Sequence, residues 1–217
     1  MKIAISGLSG CGNTTACTNV GKALNLASVN YTFRNVAHEL NIPLKEFQLL
    51  VGKNPEIDYV LDSKLIKLAE KEQNCIVGTR LAGWLIDADL TVWLHASLET
   101  RAQRIGKRED KPLAQLIKET KLRDKQNIDR YKKVYGINTM DHDHFDLVVN
   151  TERLSPEQVA ALIVAAAKLA EKNWQRVKNP YPEKIKRIIG RKLSEQNLLK
   201  VKDKQVKQVI TTCLQFK

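Results

Sequence analysis

The sequence predicts an α/β fold in which helices flank a parallel sheet, and three observations lead to this prediction. Residues 2–6 have the composition of a short buried strand, and a Gly-rich stretch at 7–12 and a helical pattern follow them. Further short apolar runs alternate with helical stretches along the chain. The order of strand, Gly loop and helix at the start is the opening of a βαβ unit, and the alternation implies a parallel, doubly wound sheet.

The predicted elements follow one another in a regular order. The first helix is expected from about residue 14 to residue 26, where apolar residues recur at helical spacing. The remaining strands are expected at 28–31, 74–78, 90–94 and 147–150. The remaining helices of the core are expected at 32–40, from Pro43-Leu44 onward, at 56–70, 98–107 and 113–135, and from Ser155-Pro156-Glu157 to 173. Ser155 suits the N-cap of the last helix, and Pro156 suits its first helical position.

The chain divides by charge into a core domain and a basic extension. Its net charge is +12, yet residues 171–217 hold thirteen Lys and Arg against four Asp and Glu. We therefore expect the core domain at 1–173 and the extension at 174–217. Residues 179–182 are expected to be a linker, because the residue before a proline resists helix. Two short amphipathic helices of the extension are expected at 183–193 and 203–214.

Composition narrows the class of protein. No apolar run approaches the roughly 18 residues of a membrane helix, and the N-terminus lacks a signal-peptide pattern, so we expect a soluble protein with no membrane contact. The four scattered cysteines lack metal-ligand spacing and predict reduced thiols in the cytoplasm. The segment His142-Asp143-His144 is better explained as a polar loop before a strand than as a metal site.

The first turn of the chain carries a phosphate-binding pattern. The Walker A pattern G-x-x-x-x-G-K-[ST] fits it at every position except the lysine. Glycines allow successive amides to point at a phosphate, and the N-terminus of the following helix adds its positive end. The residues read Gly7-Leu8-Ser9-Gly10-Cys11-Gly12-Asn13-Thr14-Thr15. The pattern predicts a P-loop phosphotransferase with ATP in the loop and Mg²⁺ on the Thr14 hydroxyl; the alternative is a Gly-rich turn that binds nothing.

Asn13 stands where the Walker A lysine is expected. Lysine supplies a positive charge to the β and γ phosphates, whereas neutral asparagine can only donate a hydrogen bond. Three interpretations stay open: another cation compensates, catalysis is slow, or the site only binds.

Several arginines are candidates for that compensation, because an arginine fork binds phosphate oxygens in pairs. Arg34 lies just after a predicted strand, and Arg80 follows a buried strand whose carboxyl end faces the ligand crevice of an open sheet. Arg123 and Arg130, two turns apart on one helix, share a face. A further group, at spacings of three and four, consists of Arg101, Arg104 and Arg108. Exposed ion pairs explain that group equally well.

An ordered set of segments makes the sequence resemble a known family. They are residues 7–15, Phe33-Arg34, Pro55-Glu56-Ile57-Asp58 with Leu61-Asp62, Arg80-Leu81-Ala82-Gly83-Trp84, and the stretch from Arg123 through Arg130-Tyr131 to Tyr135-Gly136-Ile137. Across about residues 1–170 the chain resembles the cytidylate kinases of the compact archaeal and bacterial type, within the nucleoside monophosphate kinases.

The resemblance implies a reaction and roles for the arginines. ATP and CMP or dCMP are expected to give ADP and CDP or dCDP, with Mg²⁺. By the match, Arg34 and Arg80 hold the α-phosphate of CMP, while Arg123 and Arg130 lie across the transferring phosphoryl group.

The resemblance also implies two further parts of the core domain, an insertion and a lid. Residues of about 32–70 are expected to form the small insertion that binds the monophosphate, where Asp58 or Asp62 helps to read the nucleotide. Residues of about 101–112 are expected to form a short lid. The lid arginines over ATP would be Arg104 and Arg108.

Three positions depart from the family's pattern. Asn13 replaces the loop lysine, and Gly78-Thr79 stands in place of an acidic residue and a glycine. Asn127 occupies the position of an acid that often touches the nucleoside. These departures motivate a second hypothesis, a catalytically weak nucleotide-binding module.

Two further alternatives stay open. The chain could be a kinase for another nucleotide or for a small acceptor such as shikimate. The basic extension could pack on the core or on a second subunit, or it could contact RNA, since concentrated positive charge attracts phosphate.

Overall fold

The computed structural model describes residues 1–107, 111–173 and 179–214. Five strands form one sheet: β1 (Lys2–Gly7), β2 (Ala27–Val29), β3 (Cys75–Gly78), β4 (Leu90–His95) and β5 (Leu147–Asn150). The helices of the core are α1 (Asn13–Leu24), α2 (Phe33–Glu39), α3 (Leu44–Lys53), α4 (Glu56–Lys71), α5 (Ala82–Leu85), α6 (Leu98–Gly106), α7 (Leu113–Tyr135) and α8 (Pro156–Asn173). Three more helices follow: α9 (Tyr181–Lys192), α10 (Glu195–Leu198) and α11 (Lys204–Leu214).

The sheet is parallel throughout, with the strand order β2-β3-β1-β4-β5. β1 lies in the centre, where its residues Ile3, Ala4 and Ile5 are fully buried. The run from Ile3 to Ile5 is apolar on both faces of the strand because helices cover both faces of the sheet. The strand order reverses on either side of β1, and ligands of open sheets bind outside the carboxyl ends of the strands at such a point. The predicted parallel α/β fold is therefore confirmed.

The core has two parts, one on each face of the sheet. Ala4 and Val77 point to the face covered by α2 to α5, α9 and α11, and Ile3, Ile5 and Ile76 point to the face covered by α1 and α8. Successive residues of a strand alternate between faces, so the short strands serve both parts.

Most predicted elements are present, with three differences. The linker prediction for 179–182 is wrong in its second half, because Tyr181 and Pro182 form the first turn of α9. Proline is tolerated there, since the first amides of a helix have no intrahelical acceptor. The short helices α5 and α10 were not predicted. Ser155 caps α8 as expected, accepting a hydrogen bond from the Gln158 amide at 3.2 Å.

No helix within the described ranges combines the length and the hydropathy that a bilayer crossing requires. The four cysteines, all within these ranges, are buried free thiols.

Candidate functional site

The phosphate loop connects the end of β1 to the start of α1 at the carboxyl edge of the sheet. Two of its glycines adopt a left-handed backbone, Gly10 with φ of 87° and Gly12 with φ of 103°. Gly10 also packs so closely on α6 that an added Cβ would lie 2.7 Å from the Arg101 carbonyl oxygen. A side chain at Gly10 would therefore strain the loop both in its backbone and in its packing.

Asn13 binds the loop itself. Its Nδ2 donates to the Gly7 carbonyl at 3.0 Å, and its Oδ1 is buried with no hydrogen-bond partner in the described chain. The side-chain amide of Asn13 has two N–H groups that could donate to a phosphate. One of them is thus used for a hydrogen bond within the loop. The adjacent Thr14 and Thr15 are exposed on the first turn of α1.

Leu8, Ser9 and Cys11 complete the loop. The Cys11 amide donates to the Leu8 carbonyl at 3.2 Å. Burial raises the pKa of the Cys11 thiol to about 11, although the charge of Arg101 opposes this. Cys11 is therefore a protonated packing residue at neutral pH, and the loop offers backbone groups to a ligand rather than a thiolate.

Arg80 reaches from the end of β3 to the phosphate loop. Its Nη2 donates to Ser9 Oγ at 2.6 Å, and its Nε is buried without a hydrogen-bond partner among the described residues. The two segments lie 71 residues apart in the chain, yet β1 and β3 are neighbouring strands. Arg80 therefore lies beside the phosphate loop at the carboxyl edge of the sheet.

A buried ion pair, which the sequence did not reveal, supports the loop from behind. Arg101 on α6 is 5 % exposed, and its Nη1 lies 2.7 Å from Asp124 Oδ2 on α7. The same Nη1 donates to the Ser9 carbonyl at 3.2 Å, and Nε donates to the Ala96 carbonyl at 3.1 Å. The guanidinium therefore ties α6, α7 and the phosphate loop together.

Arg104 is also bound in place. Its Nη1 and Nη2 donate to the hydroxyl and carbonyl oxygens of Thr151, at 2.8 and 2.7 Å, and Nη1 lies 3.5 Å from the Gly10 carbonyl. Thr151 in turn donates to the Cys11 carbonyl at 3.3 Å. Arg104 thus borders the phosphate loop. Arg108, the other predicted lid arginine, lies outside the described residues.

Arg130 belongs to a second cluster, formed by α2, α4 and α7. Its Nε is 3.6 Å from Asp58 Oδ1, and its Nη2 donates to Asn127 Oδ1 at 3.3 Å. The guanidinium also lies over the rings of Phe33 and Tyr131, at 4.9 and 5.0 Å from their centroids. Three of the predicted site residues, Asp58, Asn127 and Arg130, are therefore brought together.

The carboxyl groups of this cluster are strongly perturbed. Burial raises the pKa of Asp58 to about 6, although Arg130 opposes the shift. Burial and the neighbouring Asp58 raise the pKa of Asp62 to about 7, and Asp62 accepts a hydrogen bond from the Tyr135 hydroxyl at 2.5 Å. Asp58 Oδ2 is buried with no hydrogen-bond partner within the described ranges. Such groups mark candidate binding sites when they lie beside other polar side chains.

We expect Asp62→Asn to flatten part of the pH dependence of stability. A carboxyl whose pKa is raised from 3.8 to about 7 on folding holds its proton in the folded state where the unfolded chain has lost it. The free energy of unfolding therefore falls as the pH rises from about 4 to about 7. Urea unfolding across that range should show a smaller fall for Asp62→Asn. Asp129→Asn, at an exposed position of α7, should keep the wild-type slope, and equal slopes for all three proteins would contradict the assignment.

The other two predicted arginines make no such contacts. Arg34, exposed in the first turn of α2, and the half-buried Arg123 on α7 form no hydrogen bond or ion pair in the described part of the chain. Arg123 precedes the buried Asp124, whose ion pair with Arg101 holds this part of α7 against α6.

The histidine segment before β5 packs on aromatic rings. His142 stacks on Trp93 at 4.1 Å between ring centroids, and His144 contacts Trp84 at 4.9 Å and Tyr181 at 4.7 Å. Burial lowers the pKa of His144 to about 4. Tyr181 is thus in ring contact with the core, while Trp174 and Phe216, the other two aromatic residues of the extension, lie outside the described residues.

Comparisons with known proteins place the chain in a family. Residues 2–153 match the Cytidylate kinase-like family. Cytidylate kinase of Thermococcus kodakarensis is 40% identical over 167 residues, covering 76% of this chain and 86% of the relative. Cytidylate kinase 2 of Borreliella burgdorferi is 39% identical over 168 residues, covering 75% and 93%.

Solved structures support the same fold at low sequence identity. Deoxyadenosine kinase from M. mycoides with bound dATP aligns with a TM-score of 0.51 at 20% identity, covering 77% of this chain and all of that one. Shikimate kinase from Acinetobacter baumannii aligns with a TM-score of 0.51 at 12% identity, covering 79% and 95%. The family match spans most of the chain and includes the phosphate loop, Arg80 and α7. This chain therefore belongs to the Cytidylate kinase-like family.

Proposed function

We propose that this protein transfers the terminal phosphoryl group of ATP to CMP or dCMP, giving ADP and CDP or dCDP. The contact between Arg80 and Ser9 is the observation that carries the proposal beyond family membership. It joins the loop suited to the phosphates of ATP to an arginine suited to the phosphate of the acceptor.

The phosphate loop would bind ATP mainly through its backbone. Its glycines leave room for a phosphate, and α1 begins directly after the loop with its positive N-terminal end. Arg101 keeps the loop in shape from the protein side, because it holds the Ser9 carbonyl. Arg104, bound beside the Gly10 carbonyl, would border the ATP site, and residues of about 101–112 would act as the lid.

Thr14 is the residue that would hold Mg²⁺ together with the phosphates of ATP. Its hydroxyl is exposed in the first turn of α1, and the described ranges contain no cluster of three His, Cys, Asp or Glu suited to a metal. This donor set fits Mg²⁺, which is usually held by few protein groups together with waters and substrate phosphates. When bound, the ion would neutralise charge that develops on the phosphates.

Arg34 and Arg80 would hold the α-phosphate of CMP, and Arg123 and Arg130 would lie across the transferring group. An oxygen of the CMP phosphate attacks the γ-phosphorus of ATP, the bond from that phosphorus to the ADP oxygen breaks, and ADP leaves with the bond's electron pair. The attacking phosphate is largely ionised at neutral pH, so a general base is not needed. The protein's part is to position the two phosphates and to supply positive charge.

The Asp58 cluster would bind the nucleoside of the acceptor, within an insertion of about residues 32–70. The free Asp58 Oδ2 and the amide of Asn127 can pair with the amino and hydroxyl groups of a cytidine nucleotide. Asp62 would support them through its contact with Tyr135. A site built from buried polar groups discriminates strongly, because a wrong base leaves those groups unpaired.

The basic extension has less support as an RNA-binding element. The apolar faces of α9 and α11 are buried on the core, and Tyr181 contacts His144. The buried free thiols fit a reducing compartment, and we infer that the protein works in the cytoplasm.

A coupled ADP-release assay with a panel of acceptors tests the proposal. We expect turnover with CMP or dCMP to exceed that with UMP, AMP and shikimate. Preference for an acceptor without cytosine would refute the cytidylate assignment. Measurable CMP binding without turnover above background would favour the weak nucleotide-binding module instead.

We expect Asn13→Lys to lower the KM for ATP by about tenfold, since a charge-assisted bond to phosphate is worth about 1.5 kcal/mol. Loss of the bond to the Gly7 carbonyl should cost about 1 kcal/mol of stability. Asn13→Met is the matched control, because it loses the same bond and adds similar length without charge. Steady-state kinetics and urea unfolding measure both effects. An equal KM in the two variants would show that the arginines already supply the charge.

A further inference from the structure

Helix α4 is buried almost all the way round, which is unusual for a helix of a peripheral insertion. Its buried residues fall on several faces, so more than one side of the helix is covered. They are Ile57, Asp58, Tyr59, Val60, Leu61, Lys64, Leu65, Ile66 and Ala69. On one side Asp58 meets Arg130 and Asp62 meets Tyr135, both on α7. The helices α9 and α11 also pack on α4.

Helix α11 buries an apolar face in the part of the core that also contains α4. Val206 and Val209 are fully buried, and Ile210 and Cys213 are nearly so. Cys213 Sγ also lies 3.7 Å from the hydroxyl of Tyr31, which donates to Glu39 of α2 at 2.8 Å. Helix α11 therefore contacts the hydrogen-bonded pair of Tyr31, which lies just before the insertion, and Glu39, which ends α2.

Helix α9 bridges α4 and α5. Ile185 and Ile189 are buried in the same core, and Lys186 forms a 2.8 Å ion pair with Glu70 at the end of α4. Just before α9, Asn179 Nδ2 donates to the Gly83 carbonyl of α5 at 2.8 Å. The segment 179–214 thus runs from the helix that follows Arg80 to the helix that carries Asp58.

We propose that residues 179–214 are a positioning element for the acceptor site, which hold α4 against α7 before CMP arrives. These residues lie beyond the family match, which ends at residue 153. The proposal rests on the proposed function. A site whose groups are ordered in advance binds its ligand more tightly, because less ordering remains to be done on binding. Residues 179–214 would therefore set the affinity for CMP while touching neither substrate.

The test compares two buried valines on opposite faces of the sheet. Val209→Ala loosens α11, and Val159→Ala makes the same chemical change on α8, which packs on α1. For Val209→Ala we expect the KM for CMP to rise about fivefold, with the KM for ATP within about twofold of wild type. Val159→Ala should leave the KM for CMP within about twofold. Ile210→Val serves as a milder variant if Val209→Ala folds poorly.

Hydrogen exchange separates this proposal from the proposed function. Without substrates, the amides of α4 should exchange faster in Val209→Ala than in Val159→Ala, whichever acceptor the enzyme uses. Equal exchange of α4 in the two variants would overturn the positioning role, as would a KM for CMP that moves equally in both. Absence of turnover with CMP in the wild-type protein would refute the proposed function and leave the exchange result to decide the positioning role.

Discussion

Asp124→Ala is expected to lower the free energy of unfolding by about 3–5 kcal/mol, because it leaves a buried guanidinium without its counter-charge. Asp124 and Arg101 are 7 % and 5 % exposed, and their charged groups meet at 2.7 Å. Arg101 is too buried for bulk solvent to replace the lost carboxylate in full. Urea unfolding at constant pH measures the difference.

A second ion pair on the same helix is the control. Lys125 and Asp129 lie 2.6 Å apart, but their side chains are 73% and 61% exposed. Asp129→Ala should therefore cost at most about 1 kcal/mol. A similar cost for the two variants would show that the Arg101 pair does not depend on its burial.

The Asp124 variant should also affect the ATP side of the site. Arg101 holds the Ser9 carbonyl with the nitrogen that binds Asp124, so an Arg101 released from α7 no longer fixes the loop. We expect the KM for ATP to rise more than the KM for CMP in protein that remains folded.

Arg123→Met is expected to have the largest effect on turnover, with kcat falling by about 10³-fold, which is the scale of an arginine that stabilises phosphoryl transfer. Stability should change by less than about 0.5 kcal/mol, because Arg123 has no hydrogen bond or ion pair to lose in the chain as described. Steady-state assays with CMP and urea unfolding measure the two quantities on the same protein.

Two further variants separate the role of Arg123 from a general effect of positive charge on α7. Lys121→Met removes an exposed cation from the same helix and should leave kcat within about twofold. Arg123→Lys keeps the charge but loses the fork, and should recover only part of kcat. Wild-type kcat in Arg123→Met would remove Arg123 from the site and leave Arg130 as the arginine to test next.

Most elements of the fold could be predicted from local patterns in the sequence. The apolar run of β1, the glycines after it and the cap at Ser155 each depend on neighbouring residues, so their elements were predicted at nearly the observed bounds. The linker prediction was wrong at Tyr181 and Pro182, because a proline can begin a helix as well as prevent one.

The sequence could suggest arginines for the candidate site, but it could not show how their side chains pair. Arg101 and Asp124 lie on different helices, and the ordinary interpretation of an arginine on a charged helix is solvation. Burial of both depends on how α6 meets α7, which helical spacing does not encode. Asn13 illustrates the same limit, since its bond to the Gly7 carbonyl depends on the path of the loop.

The buried thiols provide built-in chemical probes of local opening. Cys17 and Cys213 lie on opposite sides of the sheet, one on α1 and one on α11, and burial raises the pKa of both thiols, that of Cys17 to about 12. A thiol reagent reacts with thiolate at an accessible sulfur, so each cysteine is protected until its helix separates from the core. Modification followed by peptide mapping would therefore time the release of α1 and α11 separately. The protein carries these two probes without any engineered label.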